Sequence, residues 1–239
     1  MTLKPFPEIE NTHLFLCGGA VRDELLGRPY KDRDYVAITE YSFDELVKAI
    51  ERSSVGNTVY LAKPEFLTIR CMMNKEAIDI ALPRGEGDYA DNRHPSQVER
   101  LDSLEEDASR RDLTINAMFM RKDGTVLDFF GGQQDLRLKS IRAVGLPLER
   151  FNEDALRILR AIRFALRLGF SIDANTLLAM MGTVPLLRHI SADRIREELS
   201  SCLHSNMEGT FKWIDRLNLW DILEEKGVHF EATQEGRLR

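Results

Sequence analysis

Apolar and polar positions follow two different rhythms along this chain. Over the first 140 or so residues, short apolar runs of strand length alternate with amphipathic stretches. Leu14–Cys17 reads as an apolar strand and Ala20–Leu26 as a helix start. Asp34–Ile38 reads as a strand, and Phe43–Ile50 as an amphipathic helix with Ser42 at its N-cap. Val59–Leu61, Phe66–Cys71 and Ala77–Leu82 add strands, with β-branched and aromatic residues in Phe66-Leu67-Thr68-Ile69-Arg70. A polar stretch punctuated by Gly and Pro, residues 83–96, is too long for a tight turn and reads as a functional loop. Thr114–Met120 reads as a further strand. After Gly145-Leu146-Pro147 the period becomes helical: Asn152–Leu168 ending at Gly169, then Asp173–Met181, Ser191–Leu203 with Ser191 as N-cap, and Met207–Leu217. The pattern predicts an α/β head followed by an all-helical extension without strands.

Composition narrows this little. Apolar residues at 43% and charged residues at 30% are ordinary for a globular chain. No run of about 18 apolar residues exists, so no membrane span is expected. Met1-Thr2-Leu3-Lys4-Pro5 has no apolar signal core. Cys17, Cys71 and Cys202 are far apart, which fits a reducing cytoplasm and offers no zinc site; the five histidines have no ligand spacing either. The net charge of −6 disfavours indiscriminate nucleic-acid binding, but residues 139–167 carry seven basic against three acidic residues, and an anionic partner is expected there.

Two devices carry chemistry. Gly18 and Gly19 stand between a strand and a helix, where the backbone can approach a phosphate without a Cβ clash, and Arg22 lies one turn on. Unaided, such a pair is more often only a tight turn. Asp32 and Asp34, at i and i+2, place two carboxylates on one strand face as a clamp for a hard cation. Asp79, the single acid in Ile78-Asp79-Ile80-Ala81-Leu82, is the candidate third carboxylate; the alternative is a strand-edge charge facing solvent. Together these point to an enzyme that handles a metal–nucleoside triphosphate. Glu105, Glu106 and Asp107 read as a solvated acidic face.

The run Gly18-Gly19-Ala20-Val21-Arg22-Asp23 through Asp32-Arg33-Asp34 resembles the signature of class II CCA-adding tRNA nucleotidyltransferases and bacterial poly(A) polymerases. The resemblance continues through Arg110-Arg111-Asp112-Leu113-Thr114-Ile115-Asn116-Ala117, Asp128-Phe129-Phe130-Gly131-Gly132, Arg150–Phe164 and Ala192-Asp193-Arg194-Ile195-Arg196-Glu197-Glu198-Leu199, five ordered blocks over residues 14–203. It implies an α+β fold: a polymerase-β-like nucleotidyltransferase head (1–140), an all-helical neck that reads the base (141–205) and a truncated helical body (206–239). It implies a two-metal mechanism with Mg2+ on Asp32 and Asp34, triphosphate contacts from Gly18, Gly19, Arg22 and Arg111, ribose contact from Asp112, and nucleotide contacts from Asp154, Arg157, Arg160 and Arg163.

Side-chain chemistry is consistent with such a neck. Asp154 and Arg157, at i and i+3, would share a helix face, an acceptor beside a donor. Cytosine and adenine both present an amine beside a ring acceptor, whereas guanine and uracil put a carbonyl there. On an arbitrary helix the same residues would be a solvated ion-paired face, and Arg110-Arg111-Asp112 would be a capped turn. The expected activity is template-independent transfer of CMP and AMP from CTP and ATP to a tRNA 3′ end. Poly(A) synthesis, CC-only or A-only addition, and a non-catalytic RNA-binding homologue are the rivals. Relatives carry a larger body and tail that grip tRNA; a homodimer, a separate subunit or a truncated chain would account for the short C-terminal part here.

Overall fold

A computed structural model describes residues 5–86 and 98–230. Most of the loop expected at 83–96 lies outside those residues. The chain forms two compact units that divide between residues 136 and 137.

The first unit is built on β1 (Thr12–Cys17), α1 (Gly19–Leu25), β2 (Arg33–Thr39), α2 (Phe43–Arg52), β3 (Thr58–Lys63), β4 (Thr68–Met73) and β5 (Glu76–Ala81). A small ladder, β6 (Arg84–Glu86) with β7 (Val98–Arg100), is followed by α3 (Leu104–Ser109), β8 (Met118–Met120), β9 (Val126–Asp128) and α4 (Gly132–Leu138). Among the described residues the main sheet has seven strands in the order β3-β4-β5-β2-β1-β8-β9. Its pairs are antiparallel except β2 with β5, which run parallel. Leu16, Tyr35, Val36, Ile69, Ile80 and Phe119 are buried in its core. Helix α2 starts where expected: Ser42 and Glu45 form a reciprocal capping box, so two orphan backbone donors are satisfied.

Two expectations shift here. The strand expected from Phe66 begins at Thr68, because Pro64 opens a 3₁₀ turn and Leu67 takes a left-handed conformation with φ 52°. The strand expected over Thr114–Met120 is a 3₁₀ turn over Thr114–Asn116 and only then a strand. The Thr114 hydroxyl donates to the buried Asp135 carboxylate at 2.5 Å, a bond that holds the backbone out of the sheet.

The second unit comprises β10 (Ser140–Ile141), α5 (Pro147–Glu153), α6 (Leu156–Leu168), β11 (Ser171–Ile172), α7 (Ala174–Thr183), α8 (Ala192–Ser205), α9 (Met207–Arg216) and α10 (Trp220–Glu225). The strand-free extension expected from the sequence is corrected by β10 and β11, a short parallel pair. Helix α6 packs on α8, burying Ile158, Leu159 and Ile162 on one side and Ile195, Leu199 and Cys202 on the other. Gly169 closes α6 at φ 71°, and Ser191 stands at the N-cap of α8 without a side-chain cap bond.

Candidate active site

Strand β1 ends at Cys17 and α1 begins at Gly19, so Gly18 is the turn between them. Its φ of 66° with ψ of −131° is strained for any residue with a Cβ. A Cβ there would lie 3.4 Å from Arg111 Nη1, which places that guanidinium against the turn. Arg22 is placed differently from expectation. It is buried, its Nε and Nη2 donate to the two Asp23 oxygens at 2.8 Å each, and its Nη1 donates to Asn116 Oδ1 at 2.7 Å. Arg22 therefore braces the turn from within.

Asp32 sits just ahead of β2 and Asp34 on it. Both are exposed, while Arg33 and Tyr35 between and beyond them are buried, so the two carboxylates share one face. The parallel register sets Asp34 beside Asp79 of β5, and the antiparallel register sets Asp79 beside Arg70 of β4. Asp79 is thus neither a lone edge charge nor an open third ligand: Arg70 Nε and Nη2 each donate to one of its oxygens at 2.7 Å. Protein packed around Asp34 raises its carboxyl pKa above the ordinary value, and the Asp79 charge adds to the rise, although Asp34 as a residue is exposed.

Arg111 and Asp112 follow α3. Arg111 donates through Nη2 to Asp107 at 2.9 Å and through Nη1 to the Asn116 carbonyl at 3.2 Å, and lies over the Phe119 ring. Asp112 accepts from the Leu113 amide at 2.8 Å and from Asn116 Nδ2 at 3.4 Å. Asn116 thus ties Arg22, Arg111 and Asp112 together, a role its sequence signal, the lone amide in an apolar run, would have allowed. Asp107 corrects an expectation. Glu105 and Glu106 are exposed, but Asp107 is fully buried between Arg110 and Arg111. Burial alone would raise its pKa; the two guanidiniums outweigh that and hold it below the usual range.

In the second unit the single helix expected over Asn152–Leu168 is two, and Asp154 is the break. Its backbone is extended, with φ −142° and ψ 102°, and its Oδ1 accepts from the Leu156 amide at 2.9 Å. Asp154 and Arg157 therefore do not share a helix face. Asp154 caps the start of α6, whereas Arg157 is buried and donates to Glu153 at 3.1 Å. Arg160 and Arg163 both pair with Glu198 of α8, at 3.8 and 2.9 Å, and Arg163 lies 4.7 Å from the Phe164 ring centroid.

Among the described residues no three His, Cys, Asp or Glu side chains converge as a ready-made metal cage. Two exposed carboxylates on one strand face still fit a hard divalent ion that keeps water and phosphate oxygens as its other ligands.

Residues 14–142 match the family described as "Poly A polymerase head domain", and residues 169–223 match "Probable RNA and SrmB- binding site of polymerase A". A CCA-adding enzyme of Streptococcus suis (strain 05ZYH33) is 42% identical over 93% of this chain and 52% of its own length. The crystal structure of the Bacillus stearothermophilus CCA-adding enzyme in complex with CTP is 34% identical, with a TM-score of 0.70, over 80% of this chain and 44% of the other. A tRNA nucleotidyltransferase complexed with a primer tRNA and an incoming ATP analog is 33% identical, with a TM-score of 0.74, over 94% of this chain and 62% of the other. The chain spans about half the length of the curated relatives it matches.

Proposed function

This chain belongs to the family of the Poly A polymerase head domain, and on that premise we propose that it transfers CMP and AMP from CTP and ATP, without a template, to the 3′ end of tRNA. The observation that carries the reading is the strand register that sets Asp34 beside Asp79, with Asp32 on the same face as Asp34. The named ligands of the similar structures, CTP in one and primer tRNA with an ATP analog in the other, support the choice of substrates.

In this reading Asp32 and Asp34 hold Mg2+, which, when bound, neutralises triphosphate charge and polarises the phosphorus under attack. Arg111, held against the Gly18 turn, meets the triphosphate, and Asp112 meets the ribose. Asp154 accepts from the exocyclic amine of cytosine or adenine, and Arg157, fixed by Glu153, donates to the neighbouring ring acceptor. Within the second unit, Arg160 and Arg163, gathered by Glu198, are the further nucleotide contacts of this reading. No helix among the described residues is long and apolar enough to cross a membrane. All three cysteines are free and buried, in keeping with a reducing compartment.

The test is incubation with tRNA lacking CCA, Mg2+, CTP and ATP, one of the two nucleotides labelled. Two C residues followed by one A are expected. Asp32→Asn with Asp34→Asn should cut incorporation by about a thousandfold or more, the scale of removing a metal's charge stabilisation, with an unchanged circular dichroism spectrum. Long A tails would replace this reading with poly(A) synthesis, a halt after two C residues with CC addition, and no incorporation would refute it.

A further inference from the structure

Resting on the nucleotidyltransferase reading, we propose that Arg70 is a positioning residue that competes with the divalent ion for Asp79, so that the clamp rests, metal-free, with its third carboxylate neutralised. Three neighbouring strands align Arg70, Asp79 and Asp34 in one cross-strand row. Side chains opposite one another across a ladder share a face and stand within reach. Arg70 uses this reach fully, through two 2.7 Å bonds, one to each Asp79 oxygen. This is the fork geometry that arginine makes and lysine cannot. The flanking residues Ile69 and Cys71 are buried, so the strand itself fixes the direction in which Arg70 leaves it.

Consider the row without Arg70. Asp79 would add a third unbalanced negative charge beside Asp34 and Asp32. Such a site would attract a divalent ion more strongly, and would also repel a triphosphate more strongly in the ion's absence. With Arg70 in place, an ion that recruits Asp79 must displace or share the guanidinium. The effect of Arg70 is therefore a looser hold on the ion and a less repulsive approach for the nucleotide, set by a residue that touches neither.

Titration of the intact chain with Mn2+ alone, followed through the electron paramagnetic resonance signal of free Mn2+, tests this without any turnover. Arg70→Val, a residue that suits an exposed strand position, should lower the Mn2+ dissociation constant about fivefold, the scale of one exposed ion pair. Arg70→Lys, which keeps the charge but not the fork, should fall between it and the wild type. The gain should vanish when Asp79→Asn is added to Arg70→Val. An equal gain in the Asp79→Asn background would overturn competition in favour of a plain field effect. Unchanged Mn2+ affinity in Arg70→Val would overturn the role of Arg70 while leaving the clamp standing, provided Asp32→Asn with Asp34→Asn abolishes binding. Mn2+ binding indifferent to that last pair would overturn the clamp reading and this proposal with it.

Discussion

Asp34 and Asp107 are both carboxylates crowded by protein, and their pKa values move in opposite directions. Around Asp34 the crowding is joined by another acid, Asp79, so the ionised form costs stability at neutral pH; this is the group read as binding metal. Around Asp107 two guanidiniums outweigh burial, so the ionised form stabilises the fold. Asp107→Asn should therefore cost about 3–5 kcal/mol at pH 7, the range for breaking a buried pair. With the folded pKa below the unfolded one, that contribution is present above the unfolded value of about 3.9 and is lost as pH falls through the folded value. Urea unfolding across a pH series should show the gap between variant and wild type closing below about pH 4. A gap that persisted unchanged in acid would show that Asp107 acts by packing rather than charge. The i+3 and i+4 spacing of Asp107 to Arg110 and Arg111 stands in the sequence, yet Asp107 reads there as part of a solvated face, because its burial depends on how α3 packs.

At the scale of elements, local signals held where one mechanism acted alone. The Ser42–Glu45 capping box and the Gly169 stop are visible in the sequence because each needs only near neighbours. Positions with two competing roles were misplaced. Asp154 lies in a run whose apolar spacing fits one long helix, yet its side chain takes the Leu156 amide and its backbone leaves the helix. Thr114 and Asn116 lie in an apolar run that fits a strand, yet both side chains are bonded elsewhere in the unit. The break at Asp154 frees its carboxylate from the helix face while leaving it anchored, and two substitutions separate the resulting roles. Asp154→Ala removes the cap and should cost about 1 kcal/mol, lowering the melting temperature by about 2–4 °C in a chain of this size. Asp154→Asn keeps an acceptor oxygen for Leu156 and should leave stability within about 0.5 kcal/mol of wild type. An amide also donates, so the preference for CTP over UTP should fall about tenfold or more in the incorporation assay. Unaltered preference in Asp154→Asn would remove Asp154 from base reading.

For the molecule as a whole, charge reads differently in the fold than along the chain. Residues 139–167 look strongly basic in sequence, but Glu153 pairs with Arg150 and Arg157, and Glu198 with Arg160 and Arg163. The basic face left for an RNA backbone is smaller than the count of arginines implies. Under the proposed function, binding of tRNA should accordingly show a shallow salt dependence, equivalent to about two phosphate contacts, or roughly a seven- to twelvefold loss between 50 and 200 mM salt. Fluorescence anisotropy with labelled tRNA measures this directly, and a loss of a hundredfold or more would show that those ion pairs open on binding. The family, the α+β head and the helical extension were all legible from five sequence blocks. The counter-ions were not, because Arg70, Glu153 and Glu198 act through strand register and helix packing that no single block contains.

The place of β5 has a consequence for how the head is assembled. The first four strands leave the ribosome before β5 does, and in the finished sheet β5 lies between them, with β4 on one side and β2 on the other. A nascent chain that ends short of Glu76 can form at most two separate antiparallel pairs, β1 with β2 across α1 and β3 with β4, each with both outer edges unpaired. Ile78 and Ile80, both buried, then close the two halves as a wedge closes an arch. The same strand delivers Asp79, so the step that completes the sheet also brings Arg70, Asp79 and Asp34 into line. Half-built intermediates would hold Asp32 and Asp34 with one strand pair and Arg70 on the other, with nothing yet to join them.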